Sequence, residues 1–242
     1  MSEIREYKFL IIFILVIVLI VGGMFGLSLY KDFKIEAEAT AIKEAKEKEL
    51  ARYDYLKDDE NPVVTITMDN NKKIVLELYP KEAPTSVENF IALIKAGFYD
   101  GVAFTRIEKD FVIQCGAKDE ATTPEYTIEG EFSANGIENS IAHEKGVISF
   151  ARNAYNLDSA YSQFFICLDT LTGLDGNYAA FGRVVEGLDV VDELALSETK
   201  SEDKDSEDFG IPVKEIIMKT VTVDTKGIEY AEPKKIAVET NN

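Results

Sequence analysis

Histidine and cysteine are scarce in this chain, and their scarcity excludes several kinds of site. His143 is the only histidine, so no site that requires two histidines is possible. The two cysteines, Cys115 and Cys167, form no Cys-X-X-Cys pair of the kind that binds zinc. Both lie in apolar, strand-like runs, which favours buried thiols, although their positions leave disulfide pairing open.

Positive charge is also in short supply. The 242 residues include 26 Lys and Arg against 44 Asp and Glu, for a formal net charge of −18. Because a nucleic-acid partner requires a basic patch, we expect none here. A Ser–His–acid triad would depend on His143, and no nucleophile-elbow motif accompanies that residue. We therefore interpret His143 as a structural hydrogen-bonding residue.

Residues 9–30, FLIIFILVIVLIVGGMFGLSLY, carry no charge. At about 1.5 Å per residue, a helix of this length crosses a hydrocarbon core of about 30 Å. A cleaved signal peptide is the alternative, but the run has no clear small-X-small cleavage site. We predict an uncleaved membrane anchor in residues 1–30.

The orientation of this anchor is a separate question. Lysines flank both ends of the apolar run, so charge discriminates poorly between the two orientations. The short N-terminal flank fits a signal anchor with the long body outside the cytoplasm.

Residues 31–60 are dense in Lys, Glu and Ala, a composition that favours a solvated helical spacer. A short coiled coil that dimerises the chain is the alternative, since the apolar stripe is weak. Asn61-Pro62 marks the next boundary, because proline disfavours helix in the residue before it. We expect one globular domain over residues 61–226, followed by a polar, frayed tail over residues 227–242.

The hydropathy period changes at Val63. VVTITM and KIVLELY flank an Asn70-Asn71 turn and predict a β-hairpin. PTSVENFIALIKAGFYDG predicts a helix, capped by Thr85 or Ser86 and ended by Gly97. Strand-like runs then recur at VAFTRI, FVIQCG, GVISFA, SQFFICL, AAFGRVV and VKEIIMKTVTVD, with a second helix at GLDVVDELALSE and a solvated acidic loop at KSEDKDSED. This order predicts a mainly β fold, a closed or nearly closed antiparallel barrel capped by two helices.

Two apolar runs contain polar side chains that need an explanation: FTRIEKDFVIQCG and SAYSQFFICLDT. Strand alternation predicts that Phe104 and Arg106 share a face, as do Val112 with Gln114 and Gln163 with Phe165. If the barrel brings these strands together, the result is an apolar pocket with a few fixed donors, typical of a specific binding site. The alternative is that Arg106 and Gln163 merely lie on the barrel surface, and composition leaves both open.

Five segments resemble those of the cyclophilin family of peptidyl-prolyl isomerases, in the family's order and spacing. They are FTRIEKDFVIQCG, EYTIEGEF, HEKGVISFAR, SAYSQFFICLD and LDGNYAAFGRVVEGLDVVDEL, and the resemblance covers Val63 to Asp224. The EFSANG and FAR variants resemble the bacterial branch. The resemblance implies a closed eight-stranded antiparallel barrel with two helices that accelerates rotation of X–Pro bonds, without cofactor or metal. With the anchor, it implies a single-pass protein of the bacterial cell membrane that acts on extracytoplasmic, proline-containing polypeptides. A non-catalytic module or chaperone that binds proline segments is the alternative.

The resemblance also assigns site residues. The catalytic residues would be Arg106, Phe111 and Gln114, and the substrate-binding residues Val112, Ala151, Arg152, Gln163, Phe165, Leu174 and Tyr178. Tyr178 stands where many members have histidine, and Val112 replaces a usual methionine. Gly173 stands where the family often has an aromatic residue that helps to hold cyclosporin. This departure counts against cyclosporin sensitivity.

Overall fold

The structure is a computed structural model that describes residues 30–44, 56–117 and 126–238. The chain divides into two compact units, Met1–Lys57 and Asp58–Asn242. In the first unit, residues 30–44 form helix α1, whose side chains are exposed and include an i,i+4 pair between Lys34 and Glu38 at 3.7 Å. The part of the predicted spacer over residues 45–55 lies outside the described residues, as do residues 1–29. Within the described ranges, no helix has the length and apolarity needed to cross a bilayer.

The second unit is built on one eight-stranded antiparallel sheet with the strand order β3-β4-β7-β6-β8-β2-β1-β9. Its strands are β1 (Val63–Met68), β2 (Lys73–Leu78), β3 (Phe104–Glu108), β4 (Val112–Cys115), β6 (Val147–Phe150), β7 (Phe164–Cys167), β8 (Ala180–Glu186) and β9 (Met218–Asp224). The helices are α2 (Pro84–Lys95) and α3 (Leu188–Ala195). The predicted hairpin is confirmed, because β1 pairs with β2 around Asn71, whose φ of 64° suits a tight turn.

The core lies between the concave face of the sheet and α2. Alternate residues of β1 and β2 are buried, as the sequence pattern requires. From α2, Phe90 reaches into the sheet, with its ring centroid 5.1 Å from that of Phe164 and 5.2 Å from that of Phe181. Such tilted aromatic contacts fill the interior densely. On the opposite, convex face the central strands are also covered, but Arg106 and Gln114 stay partly exposed, so a binding site would lie there.

The expectation of a closed barrel is corrected: the sheet is a half-barrel whose edge strands are β3 and β9. These edges meet at a single bridge between Ala103 and Ile217, just before each strand begins. Hydrogen bonds from Phe104 N to Ile216 O (2.8 Å) and from Met218 N to Val102 O (2.9 Å) flank that bridge. Further along β3, the loop after α3 takes this edge, because Ile107 N donates to Gly210 O at 2.8 Å.

Two local predictions are also corrected. Neither Thr85 nor Ser86 caps α2; instead, the carboxylate of Glu131 accepts hydrogen bonds from both of their backbone N–H groups at 2.8 Å. The negative charge of Glu131 suits the positive end of the helix dipole. Desolvation by burial, and to a smaller extent the charge of Glu131, raises the pKa of the nearby Glu88 carboxyl. The tail is not wholly frayed, because β10 (Ile236–Ala237) pairs with β5 (Tyr126–Thr127).

Candidate active site

A single cross-strand row on the convex face contains several of the predicted site residues. In the ladder, Arg106 of β3 lies opposite Gln114 of β4, Gln114 opposite Phe165 of β7, and Phe165 opposite Ser149 of β6. Residues directly opposite each other in an antiparallel pair project from the same face. The sheet therefore aligns a guanidinium, an amide and an aromatic ring across neighbouring strands.

A β-bulge at Thr105 determines where Arg106 points. Phe104 pairs with Cys115 and Arg106 with Gln114, so Thr105 is the extra residue. Phe104 belongs to the buried core, whereas Arg106 projects outward. The prediction that these two residues share a face is therefore wrong. An added residue reverses the alternation and re-aims the side chain that follows it.

The guanidinium of Arg106 lies between two aromatic rings and a carboxylate. Its Cζ is 5.9 Å from the centroid of Phe111 and 5.6 Å from that of Phe209. An Nη2 group donates to Glu108 Oε2, two residues along the same strand face. The side chain is 35% exposed, so one side of it faces solvent and can meet a ligand.

Two amides and a buried valine continue this surface. Gln114 Nε2 donates to Gln163 Oε1 at 2.9 Å, and Gln163 O accepts from Ala151 N at 2.8 Å. These contacts join β4 to the segment around Ala151. Val112 lies opposite both Glu108 and Cys167 and is 2% exposed, so it forms part of the floor beside Gln114.

Phe165 is 4% exposed and is held between two rings. His143 stacks on it at a centroid distance of 6.2 Å and an interplanar angle of 23°. Tyr178 meets it edge-on at 5.7 Å. Leu174, at the end of a short 3-10 turn (Thr172–Leu174), accepts a backbone hydrogen bond from Tyr178 N at 3.2 Å. Phe165 and Tyr178 therefore form an aromatic pair, and Leu174 is joined to Tyr178 by a backbone hydrogen bond.

His143, which stacks on Phe165, is held in place by Asp175. Its Nδ1 is 2.9 Å from Asp175 Oδ1, and its backbone N–H donates to the same oxygen at 2.7 Å. The structural role expected for His143 is thus confirmed. Burial lowers the pKa of the imidazole, an effect opposed by the hydrogen bond with Asp175. Nε2 has no hydrogen-bond partner among the described residues.

The guanidinium of Arg152 makes more hydrogen bonds within the protein than that of Arg106 does. Its Cζ lies 4.8 Å from the centroid of Tyr178 and 5.3 Å from that of Phe132. Its Nε also donates to Asn177 O at 2.9 Å. These contacts fix the wall next to Ala151. Gly173 is exposed, and no described atom lies within 4 Å of a Cβ added there, so the rim is open at this point.

The cysteines lie on opposite faces of the sheet. Cys115 is opposite Phe164 in the core, whereas Cys167 is opposite Val112 on the convex side. Both thiols are free and buried, which settles the question left open by the sequence. Burial raises the pKa of Cys167 to about 12 and that of Cys115 well above its usual value. Neither is a nucleophile at neutral pH. Among the described residues, no group of three His, Cys, Asp or Glu side chains is placed to hold a metal.

Comparison with known proteins gives this geometry a context. The family model described as cyclophilin type peptidyl-prolyl cis-trans isomerase/CLD matches residues 63–222. This chain belongs to the cyclophilin-type peptidyl-prolyl cis-trans isomerase family. A peptidyl-prolyl cis-trans isomerase of Schizosaccharomyces pombe is 40% identical over 140 residues, covering 57% of this chain and 89% of that protein. One from Helicobacter pylori is 36% identical over 152 residues, covering 61% and 90%.

Solved structures share the family fold. A cyclophilin type isomerase of Cryptosporidium parvum superimposes with a TM-score of 0.58 at 24% identity, over 68% of this chain and 98% of that one. The same protein crystallised in the presence of the dipeptide Ala-Pro has a TM-score of 0.57 at 25% identity, over 67% and 98%. The half-barrel is therefore the cyclophilin fold. The relatives described above, which match most of the half-barrel domain, are named peptidyl-prolyl cis-trans isomerases.

Sequence reasoning missed three residues beside Arg106: Glu108, Lys204 and Phe209. Glu108 had a usable signal, because it lies two residues after Arg106 in a strand and so shares its face. Lys204 had none, since it belongs to the run KSEDKDSED that the sequence predicts to be solvated, and Phe209 directly follows that run. Only the folded chain shows that this loop returns to β3.

Proposed function

We propose that this chain accelerates the cis–trans rotation of X–Pro bonds, with Arg106 as the group that stabilises the twisted amide. The observation that carries the proposal is the cross-strand row in which Arg106, Gln114 and Phe165 share one face. The row combines a fixed cation with an apolar wall, which is what a proline ring and its peptide nitrogen require.

The mechanism follows from the chemistry of the X–Pro peptide bond. Rotation breaks amide resonance and meets a barrier of about 18–20 kcal/mol. At the twisted geometry the prolyl nitrogen regains a lone pair and becomes a better hydrogen-bond acceptor. A guanidinium donor beside that nitrogen stabilises the transition state over both planar forms, which is the condition for catalysis. Arginine is suited to the role because it stays protonated and offers donors in a fixed fork.

The remaining residues hold the substrate. Phe111, Val112, Phe165 and Leu174 would contact the ring and exclude water, which strengthens the electrostatic interaction. Gln114 and Gln163 are already joined by a hydrogen bond and are placed to bind the flanking peptide backbone. Ala151, Arg152 and Tyr178 would form the neighbouring wall. No step requires a covalent intermediate or a proton transfer.

A non-catalytic module that binds proline segments is the second candidate. It is favoured by the engagement of Arg106 with Glu108, which occupies one Nη2 donor. Exchange NMR on the full-length chain with a proline-containing peptide separates the two functions, because it measures binding and rotation in one sample. Rotation enhanced well above the uncatalysed rate supports the enzyme. Saturable binding with an unchanged rotation rate would leave only the binding module.

We further propose that residues 9–30 tether the chain to a bacterial cell membrane, with the half-barrel outside the cytoplasm. The support is the uncharged apolar run, which is long enough as a helix to cross a hydrocarbon core. Its clients would then be extracytoplasmic polypeptides. Protease access to tags at each terminus, measured on intact and lysed cells, tests this topology. Digestion of a C-terminal tag only after lysis would reverse the orientation.

A further inference from the structure

Residues 196–213, which follow α3 and are here called the acidic loop, are held together by backbone hydrogen bonds within the loop. Lys200 N donates to Ile211 O at 2.8 Å, and Gly210 N donates to Ser201 O at 2.9 Å. The loop then joins β3, because Ile107 N donates to Gly210 O at 2.8 Å. A run of charge expected to be solvated is thus attached to the strand that contains Arg106.

Gly210 allows this close approach. Its φ is +70°, and a Cβ added there would lie 2.8 Å from Ile107 O and 3.1 Å from Arg106 Cγ. A larger residue would push the loop away from β3 and strain its own backbone. The acidic loop therefore contacts the stem of Arg106 as well as the backbone beside it.

Glu108 lies between two cations. Its Oε2 accepts from Arg106 Nη2, and its Oε1 accepts from Lys204 Nζ at 2.5 Å. The Glu108 side chain is only 10% exposed, whereas that of Lys204 is 75% exposed. The ring of Phe209 completes the group, with its centroid 5.6 Å from Arg106 Cζ and 5.9 Å from Lys204 Nζ.

We infer that Glu108 is a positioning residue for Arg106, and that Lys204 and Phe209 of the acidic loop hold Glu108 and the guanidinium in place. The inference rests on the proposed function. A long arginine side chain loses much rotational freedom when it binds substrate, and a carboxylate that fixes it beforehand removes that cost. An aromatic ring against the guanidinium restricts it further.

Lys204 has a second effect, on charge. Arg106 and Glu108 alone sum to zero, which would weaken the field at the prolyl nitrogen. With Lys204 the group carries a net charge of +1, so the guanidinium is oriented without being neutralised. A cavity of about 450 Å³ adjoins this group between β3, the end of α3 and the acidic loop, and Lys204 and Glu108 line it. Salt can therefore reach the Lys204 contact.

A double-mutant cycle tests whether Glu108 acts through Arg106. Glu108→Gln keeps the shape and removes the charge, and we expect it to lower kcat about fivefold with KM nearly unchanged. In the Arg106→Ala background the same change should lower kcat/KM by less than about 1.5-fold, since the group that Glu108 positions is gone. Glu202→Gln, in the same cavity wall but exposed, is the matched control and should behave as wild type.

Equal losses in both backgrounds would overturn the inference, because Glu108 would then act on stability or on another group. An unchanged or raised kcat in Glu108→Gln would overturn it as well. Wild-type enzyme that is inactive would instead refute the proposed function.

Lys204→Met tests the contribution of the loop. It should lower kcat/KM about threefold at low salt, and the difference from wild type should shrink as salt rises, because Lys204 is largely exposed. Lys200→Met removes the same charge from the same loop but lies beside Asp208 at 3.9 Å, and should have no effect. Equal losses in the two variants would show that the net charge of the loop matters, and would contradict a specific role for the contact between Lys204 and Glu108.

A readout independent of turnover is the guanidinium NMR signal of Arg106, assigned by its loss in Arg106→Lys. We expect slowed Nη rotation and slowed proton exchange in the wild type, and faster motion in Glu108→Gln. An Arg106 signal as mobile as that of a free arginine, in the wild type, would overturn the inference even if the enzyme is active.

Discussion

Arg106→Ala is the change that most directly tests the proposed site. It removes the only donor proposed for the prolyl nitrogen. Loss of one transition-state hydrogen-bond donor in a shielded site typically costs about 10²–10³ in kcat. Because the Arg106 side chain is 35% exposed, solvent screens it and we expect the lower end, about one hundredfold, or roughly 2.7 kcal/mol of transition-state stabilisation.

The same structure limits the effect on stability. Arg106 is outside the buried core cluster, so no core cavity forms on truncation. The main cost is Glu108, which keeps Lys204 but loses its other partner, at about 1 kcal/mol. For a domain of this size that lowers Tm by roughly 2–4 °C. Thermal unfolding followed by circular dichroism measures this separately from activity.

The assay is exchange NMR on a proline-containing peptide, run at several peptide concentrations to separate kcat from KM. Arg106→Lys keeps the charge but not the fork, and should recover less than tenfold of the loss. Near-wild-type turnover in Arg106→Ala, in a variant shown to be folded, would refute the assignment of Arg106. A loss confined to KM would place Arg106 in substrate binding alone.

Three further predictions address the rest of the site. Phe111→Ala removes the half-buried ring beside Arg106 and should raise KM for a proline peptide about tenfold, whereas an unchanged KM would place the pocket elsewhere. Gly173→Trp fills open space at the rim and should raise cyclosporin affinity about tenfold, measured by calorimetry, without changing Tm. Equal affinities in the two proteins would show that Gly173 is not the cause of any cyclosporin insensitivity. His143 has a pKa below its ordinary 6.5 in the folded state, so the unfolded chain binds the proton first as pH falls. The free energy of unfolding should therefore decrease below about pH 6.5 in the wild type relative to His143→Gln, and parallel curves for the two proteins in urea titrations would contradict this.

Much of the half-barrel could be predicted because its signals are local. Alternation over Val63–Met68 and Lys73–Leu78 marks strands with one buried face, and Asn70-Asn71 marks the turn between them. The helix that contains Phe90 follows from its apolar spacing and from Gly97 at its end. The roles proposed for Arg106, Gln114 and Phe165 came from a resemblance and stay predictions, although the ladder aligns their side chains.

The errors have a common physical cause. Alternation predicts that Phe104 and Arg106 share a face, but a bulge depends on how β3 registers against β4, which no local pattern specifies. The sequence predicts a cap from Thr85 or Ser86 next to the helix, whereas Glu131, 45 residues from Ser86, supplies it. In both cases the outcome depends on a partner outside the element itself: Gln114 in the neighbouring strand for the bulge, and Glu131 for the cap.

The sequence alone thus determined which segments are strands and helices, which family they resemble, and which side chains are chemically suited to a proline site. It did so because periodicity, turn residues and motif spacing are properties of adjacent residues. Only the tertiary structure decided that the sheet remains a half-barrel, that Arg106 points outward, and that Glu108, Lys204 and Phe209 surround it. Those outcomes depend on strand register and on a loop that returns across nearly 100 residues to pair with β3, as the Lys204–Glu108 contact at a separation of 96 shows.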